Sequence, residues 1–123
     1  MDFAPGDGHA ELRKAVREFA LGEIAPHVRR WDEGNVFPED VIRKLGKLGY
    51  LGSVFPETYG GAGLDYVDYC AIIEELARVD PSVGLIVAAH TSLCCNHIYL
   101  AGTEEQKRRY LTKLASGEWI GSW

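Results

Sequence analysis

The sequence predicts an all-α domain, a helical bundle of about five helices that ends at the start of a β-strand. Apolar residues recur every three or four positions along most of the 123 residues, and this is the period of an amphipathic helix. Glycine, proline, aspartate and threonine interrupt the pattern where helices usually begin and end. The last six residues, 118–123, alternate in character instead, which is typical of a strand.

The first helix is predicted from Gly8 to Glu33. Pro26 lies inside it and cannot donate a hydrogen bond to the carbonyl of Gly22, four residues earlier. Because glycine relaxes easily at that crowded position, we expect a kink and not a break, and Gly34 should end the helix. The apolar stripe of this helix comprises Leu12, Val16, Phe19, Ala20, Ile24, Val28 and Trp31.

A short second helix is predicted to begin with Pro38 at its first position, followed by Glu39 and Asp40 at the positive end of its dipole. Gly49 should end it. Its predicted buried stripe is Val41, Ile42, Leu45 and Leu48. Residues 50–63 then contain four glycines and a proline, so no regular element is expected there. The side chains expected to pack this connection against the bundle are Leu51, Val54, Phe55 and Tyr59.

Asp65 is a suitable N-cap for a third helix, because its carboxylate can accept a hydrogen bond from the first turn. Glu74 precedes Arg78 by four residues and is predicted to form a surface ion pair with it. Glu75 is adjacent to Glu74 in sequence, so the two carboxylates should diverge on the helix. The residues predicted to face inward are Val67, Cys70, Ile73, Leu76 and Ala77.

Asp80 and Pro81 are predicted to end the third helix and to begin a fourth, which extends from about Ser82 to Ala101. The fourth helix is apolar on nearly every side, so a membrane span is one interpretation. Five polar residues within it would be costly in lipid and favour a central buried helix over a membrane span. These polar residues are His90, Thr91, Ser92, Asn96 and His97.

Thr103 and Gln106 are predicted to form a capping box that begins a fifth helix, and Ser116–Gly117 should end it. The side chains predicted to face inward from this helix are Tyr110, Leu111 and Leu114. Residues 118–123 would then begin a strand whose partners lie outside the sequence.

Charge and composition restrict the expected partners. The formal net charge is −5, with 13 basic and 18 acidic residues, and no basic stripe is concentrated enough to predict a nucleic-acid partner. The first residues show neither a secretory signal nor an arginine-rich transit peptide. Three cysteines, two of them adjacent, do not form a disulfide framework. We therefore expect a cytoplasmic protein.

His90, Cys94 and His97 share one face of the fourth helix, where they could bind a soft metal ion. A tetrahedral zinc site needs a fourth ligand, and none is identifiable in the sequence. Cys94 and His97 could also act as nucleophile and base, but burial would raise the pKa of the thiol. We therefore expect no metal site and no catalytic residue here, and interpret the three side chains as core residues.

Several distinctive motifs follow one another along the chain. The most informative is the glycine-rich run Phe55–Tyr66, followed by the charged and proline-containing run Glu74–Ser82. Further markers are Ile24–Pro26, Trp31–Glu33, Leu48–Gly52 and Gly102–Lys107. In this order, the motifs resemble the amino-terminal helical domain of the acyl-CoA dehydrogenases, and the likeness covers residues 11–123.

The resemblance implies a longer flavoprotein that desaturates acyl-CoA thioesters. Such a subunit has this helical domain, a middle β-domain and a second helical bundle, with FAD between the last two. The catalytic base, a glutamate of the second bundle, would lie outside this chain. By the same resemblance, residues 1–117 are the N-terminal helical domain and residues 118–123 begin the middle β-domain.

Four residues receive roles from the resemblance. Ile86, Ala89 and Leu93 occupy positions that line the acyl-chain pocket in the family, and their spacing places them on one helix face. Trp123 lies at the leading edge of the first flavin-binding segment. The resemblance also implies an electron-transfer flavoprotein as the electron acceptor and a homo-oligomer, a tetramer, as the full-length assembly.

Two alternatives to this function remain open. The chain could be a non-catalytic helical interaction module, or it could belong to an acyl-CoA oxidase or flavin monooxygenase of the same family. Because the 123 residues lack the base and most of the flavin site, we expect the chain by itself to be inactive and to bind no FAD.

Overall fold

A computed structural model describes residues 3–123, which form five helices connected by short turns. The helices are α1 (9–34), α2 (Glu39–Lys47), α3 (Tyr66–Ala77), α4 (Pro81–Ala101) and α5 (104–115). The glycine-rich connection between α2 and α3 contains two short 3-10 turns, Tyr50–Gly52 and Glu57–Tyr59. For this part of the chain, the predicted all-α bundle of about five helices is confirmed.

Helix α1 continues through Pro26 with a local change of winding. Its α-helical segments, His9–Phe19 and Val28–Gly34, are joined by a wide π turn at Ala20–Ile24 and a tight 3-10 turn at Ala25–His27. The change follows from proline, which has no N–H to continue the regular hydrogen-bond ladder. The helix is therefore altered at Pro26 but not broken, as predicted.

Helix α2 and the turn after it lie against the end of α5 at very short range. A Cβ on Gly46 would lie 2.8 Å from the Cα of Gly117, and a Cβ on Gly52 would lie 2.7 Å from the Cβ of Ala115. Any larger side chain at Gly46 or Gly52 would push these elements apart, so glycine sets their separation.

Two details of the predicted second helix are wrong. The helix begins at Glu39, so Pro38 precedes the first turn. Leu48 is 53% exposed, because the helix ends at Lys47 and Gly49 turns the chain in the left-handed conformation (φ 84°). The other predicted stripe residues, Val41, Ile42 and Leu45, are buried.

Helix α3 is capped as predicted but faces the core with a different stripe. Asp65 accepts a hydrogen bond from the backbone N–H of Asp68 (2.8 Å). Cys70, predicted to face inward, is exposed, whereas Glu75 is only 1% exposed. The buried residues are Tyr69, Ala71, Ile72, Glu75 and Leu76. The hydrophobic pattern misplaced the stripe because it assigns a glutamate to the surface.

The buried carboxylate of Glu75 joins α3 to α1. It accepts hydrogen bonds from Arg13 Nη1 (2.7 Å), Arg17 Nη2 (2.9 Å) and Arg17 Nε (2.9 Å). The Arg17 bonds are the main reason that the pKa of Glu75 is lowered to about 2, although burial opposes the shift. Arg13 also bonds Glu74, while Arg78 lies 3.5 Å from Glu75. The predicted surface pair of Glu74 with Arg78 is therefore wrong.

Two hydrophobic clusters form the core, and α4 contributes to both. The first cluster lies between α1, α2, α3 and the first half of α4, which supplies Val83 and Val87. The second lies between the 55–59 turn, the second half of α4 and α5, and includes Cys95 of α4. The turn is held down by Phe55 and Tyr59, which are buried as predicted.

Helix α4 is buried on one side only. A third of its most apolar window is buried, whereas Leu85 and Leu100 are 70% and 73% exposed. By length and composition alone the helix could cross a membrane, a test that core helices also pass. Its packing into both clusters favours a core helix. The helix is central, as predicted, but the prediction that it is buried is wrong for its outer side, which faces solvent.

Helix α5 begins with the predicted capping box. The Gln106 N–H donates to Thr103 Oγ1 (3.2 Å), and the Thr103 N–H donates to the Gln106 side chain (2.8 Å). Leu111 and Leu114 are buried as predicted, and Tyr110 is half-buried. The described residues include no strand at 118–123, so the start of a strand and the domain boundary after residue 117 stay predictions.

Replacing Glu75 by glutamine should lower the free energy of unfolding by about 2–4 kcal/mol at neutral pH, because Arg13 and Arg17 lose a buried charged acceptor. Glu74→Gln is the matched control. The side chain of Glu74 is 59% exposed, so its loss should cost less than about 0.5 kcal/mol. Denaturant unfolding measures both values, and equal losses would contradict the special role of Glu75.

The same variant should show a defined pH dependence. The pKa of Glu75 is about 2 in the fold against 4.5 ordinarily, so between these values the unfolded chain binds more protons than the folded chain. The stabilisation from Glu75 is complete above pH 4.5 and is lost as the pH falls towards 2. The stability gap between the wild type and Glu75→Gln should shrink over this range, and a constant gap would contradict the assignment.

Candidate functional site

The outer side of α4 carries a continuous strip of apolar side chains. Leu85, Ala89 and Leu93 follow one another at four-residue spacing, and Leu100 lies two turns after Leu93. Residues 89–95 wind as a π-helix within α4, so the strip is assigned by exposure as well as by spacing: Leu85 and Leu100 are 70% and 73% exposed. Leu93 is 42% exposed and Ala89 is half-buried. These four residues, called the outer strip below, form a surface of the kind that another apolar group usually covers.

Two of the three predicted acyl-chain residues belong to the outer strip. Ala89 and Leu93 face outward, whereas Ile86 is half-buried and packs against the first core cluster. Sequence reasoning missed Leu85 and Leu100. The four-residue spacing from Leu85 through Ala89 to Leu93 was a signal that could have identified Leu85. The roles of all three predicted residues in binding stay predictions.

Three clefts among the described residues are lined by residues other than those of the outer strip. One, of about 650 Å³, lies between Trp31 near the end of α1 and Pro81 at the start of α4, and a second of about 460 Å³ adjoins Trp31 on the other side. A third, of about 420 Å³, lies between His97 and Tyr110. The outer strip therefore lines none of these three clefts, and its leucines are exposed.

Polar contacts fix the edge of the outer strip. The Tyr69 hydroxyl lies 2.6 Å from Ser92 Oγ and joins α3 to α4. Burial raises the pKa of Tyr69, and the hydrogen bond to Ser92 opposes that rise. One turn after Ser92, the Oδ1 atom of Asn96 is buried without a partner among the described residues.

The helix face considered as a metal site is covered by the end of the chain itself. The two ring nitrogens of His90 lie 2.9 Å from the Gly121 nitrogen and 3.0 Å from the Leu114 oxygen, so both are engaged. Burial raises the pKa of Cys94, partly opposed by the Ser122 backbone, whereas a nucleophilic thiolate needs a lowered pKa. The part of the chain that the structure describes contains no cluster of metal-ligating side chains.

Trp123, the predicted cofactor contact, is 80% exposed. Its ring stacks on that of His97, with 4.3 Å between ring centroids and 21° between ring planes. Trp119 is 42% exposed and lies near Tyr110, with ring centroids 6.4 Å apart. Exposed aromatic rings therefore border the cleft between His97 and Tyr110.

Residues 6–118 match the family model of the acyl-CoA dehydrogenase N-terminal domain. The chain belongs to the acyl-CoA dehydrogenase family. It is 44% identical over 118 residues to the mitochondrial isovaleryl-CoA dehydrogenase of Solanum tuberosum and 44% identical over 123 residues to the short-chain-specific acyl-CoA dehydrogenase of Clostridium acetobutylicum. These matches cover 94% and 100% of this chain but 29% and 32% of those proteins. The chain thus spans about a third of the length of these relatives.

Solved structures show the same fold. The butyryl-CoA dehydrogenase of Megasphaera elsdenii matches with a TM-score of 0.90 at 35% identity, over 98% of this chain and 32% of that one. A glutaryl-CoA dehydrogenase of Mycobacterium smegmatis in complex with FADH2 matches with a TM-score of 0.89 at 32% identity. This match covers 95% of this chain and 30% of that one. A chain in a structure of the electron transferring flavoprotein of Acidaminococcus fermentans matches with a TM-score of 0.92 at 40% identity. This match covers 98% of this chain and 32% of that one.

Replacing Leu85 and Leu93 together by glutamine should reduce self-association of the chain, because it removes two large exposed apolar side chains from the outer strip. The free energy of unfolding should change by less than about 1 kcal/mol, since neither side chain is buried. Sedimentation velocity and denaturant unfolding measure the two effects. Leu48→Gln is the control, because Leu48 is 53% exposed but lies just after α2. An equal effect of Leu48→Gln would show that the outer strip does not drive self-association.

Proposed function

We propose that this acyl-CoA dehydrogenase domain forms one wall of the acyl-chain site in an FAD-dependent enzyme that desaturates acyl-CoA thioesters between the α and β carbons. The outer strip of α4 is the observation that carries the proposal. It is long, apolar and open, as a wall for a flexible hydrocarbon chain needs to be. Ala89, the small residue in its middle, would leave depth for the chain between Leu85 and Leu93.

The residues of this chain fit one edge of a flavin site. Trp123 offers an exposed ring held by His97, which suits contact with a planar ring system. The glycine-rich loop offers no phosphate cradle, because a Cβ on Gly61 would lie 2.8 Å from the carbonyl oxygen of Gly52, and carbonyl oxygens repel phosphate. FAD would therefore be held mainly by residues outside this chain.

When bound, FAD supplies the acceptor for the β-hydrogen, and this chain supplies no proton acceptor for the α-carbon. The contribution of the outer strip is to orient the acyl chain and to exclude water from the side of α4. Exclusion of water strengthens the electrostatic interactions that act on the reacting atoms. This chain therefore serves binding and specificity, and the proton transfer belongs to the rest of the enzyme.

The partners follow from the same proposal. An acyl-CoA is the substrate, and an electron-transfer flavoprotein is the electron acceptor, in line with the similarity to a chain in the Acidaminococcus fermentans structure. A homotetramer is the proposed assembly of the full-length protein. A cytoplasmic location is supported only by the three cysteines, which are free.

A non-catalytic interaction module is the second candidate, since the outer strip would also suit an apolar protein partner. An oxidase or monooxygenase of the same family is a third, which oxygen consumption by the full-length protein would reveal. Replacing Ala89 by glutamate in the full-length protein and measuring activity on acyl-CoA substrates of different length separates the first two candidates, because a partner-binding face has no reason to select the length of an acyl chain.

In the full-length protein that carries this domain, Ala89→Glu should shorten the longest acyl-CoA that is turned over. The larger charged side chain would fill the middle of the strip, and overpacking of this kind costs roughly 1–3 kcal/mol. The measurement is kcat/KM for a series of acyl-CoA substrates of increasing length. Activity should fall about 5- to 150-fold for the longest substrates and remain nearly unchanged for the shortest.

Ala10→Glu is the matched control, because Ala10 is an exposed alanine at the start of α1, far along the chain from the strip. It should leave the whole length profile unchanged. If Ala89→Glu also leaves the profile unchanged, the outer strip does not bind the acyl chain.

The 123-residue chain by itself should bind no FAD. Its described residues offer Trp123 and no further side chains suited to the isoalloxazine or the phosphates. Isothermal titration with FAD and the absorbance spectrum of the purified chain measure this, with circular dichroism as the control that the chain is helical. Stoichiometric binding of FAD by the folded chain would show that the flavin site lies here.

A further inference from the structure

His90 of α4 is fully buried and holds two backbone groups from different parts of the chain. Its Nδ1 lies 2.9 Å from the Gly121 nitrogen, and its Nε2 lies 3.0 Å from the Leu114 oxygen. An amide N–H can only donate and a carbonyl oxygen can only accept. The hydrogen must therefore be on Nε2, while Nδ1 is bare and accepts the bond from Gly121.

Gly121 fits against α4 only because it has no side chain. A Cβ at this position would lie 2.5 Å from Cys94 Sγ and 2.9 Å from Cys94 Cβ. Two residues further, Trp123 stacks on His97 of the same helix. The three α4 side chains at spacings of four and three thus form a seat for residues 121–123.

The preceding residues are fixed by other helices. Arg43 Nη1 of α2 donates to the carbonyls of Gly117 (3.1 Å) and Glu118 (2.9 Å). The Trp119 N–H donates to the carbonyl of Lys113 in α5 (3.1 Å). Residues 117–119 therefore have their own anchors. The next part of the segment meets α4 through the bond from Gly121 to His90 and the contact of the Ser122 backbone with Cys94.

We propose that His90 is a positioning residue, which seats Gly121 through its bare Nδ1 and thereby presents Trp123 on α4. Burial lowers the pKa of His90, although the Leu114 carbonyl opposes this shift, so the ring stays neutral as the seat requires. A contact of Trp123 with a flavin rests on the proposed function. The positioning of Gly121 and Trp123 by His90 does not depend on it.

The experiment uses the 123-residue chain labelled with fluorotryptophan and nitrogen-15. Its three tryptophans give separate fluorine signals, of which Trp31 is the internal reference because it is 9% exposed and lies in α1. In the wild type, the nitrogen spectrum should show His90 with its hydrogen on Nε2. His90→Leu should speed amide exchange at Gly121 about tenfold, the factor expected for one lost hydrogen bond, and shift the Trp123 signal but not that of Trp31.

Rescue separates positioning from simple packing. In His90→Asn the side-chain oxygen can take the place of Nδ1 as the acceptor for Gly121, so slow exchange and the Trp123 signal should largely return. His27→Leu is the matched control, since His27 lies beside Trp31, and it should leave Gly121 unchanged. If His90→Leu does not fold, Gly121→Ala should displace Trp123 through contact with Cys94, whereas Gly22→Ala, which meets nothing within 4 Å, should not.

Three results would overturn the proposal: a hydrogen on Nδ1 in the wild type, unchanged Gly121 exchange in His90→Leu, or an unmoved Trp123 signal in Gly121→Ala. A separate measurement in the full-length protein addresses the flavin. If the seat behaves as described but His90→Leu leaves FAD content unchanged, the link to the flavin fails and the positioning of Gly121 stands.

Discussion

The packing of α4 into both core clusters is the constraint on which the other elements depend. Val83 and Val87 lie in the first cluster and Cys95 lies in the second. The two clusters are therefore joined by a single helix. The crossing with α3 is close, because a Cβ on Gly84 would lie 2.8 Å from the Cβ of Ala77. Close packing of this kind admits few alternative arrangements of the neighbouring helices.

Two polar side chains of α4, Thr91 and His90, face the rest of the protein and not the solvent. Thr91 donates to the carbonyl of Leu51 (2.9 Å), and His90 contacts α5 and the segment after it, so both turn towards the protein. The four residues of the outer strip are all apolar. The Oδ1 atom of Asn96, elsewhere on α4, is buried without a partner among the described residues. A helix built in this way can hold a domain together and still offer a hydrocarbon-binding face.

Local signals in the sequence were sufficient to predict the five helices and several of their ends. The caps at Asp65 and Thr103 are formed within three residues of the chain, so their chemistry is visible in a short window. The family resemblance was also specific, because it rested on several motifs in a fixed order. It supplied the roles assigned to Ala89, Leu93 and Trp123, which composition and periodicity could not supply.

Orientation could not be predicted in the same way. The rotation of α3 depends on Glu75, whose burial is possible only because α1 provides Arg13 and Arg17 about sixty residues earlier. The sequence could not predict which side of α4 faces the core for a different reason. A helix that is apolar on nearly every side has no pattern to show which side is buried. Nor could the sequence indicate that residues 121–123 lie on His90, Cys94 and His97.

The long-range character of the bonds between α1 and α3 has a consequence for how the chain folds. Helices α3, α4 and α5 follow one another with very short connections, so their contacts close small loops and cost little entropy. Glu75 must instead meet arginines 58 and 62 residues away. We therefore expect α3, α4 and α5 to form the folding nucleus and α1 to dock after the transition state. By the same reasoning, α1 should be the first helix to detach when the domain unfolds locally.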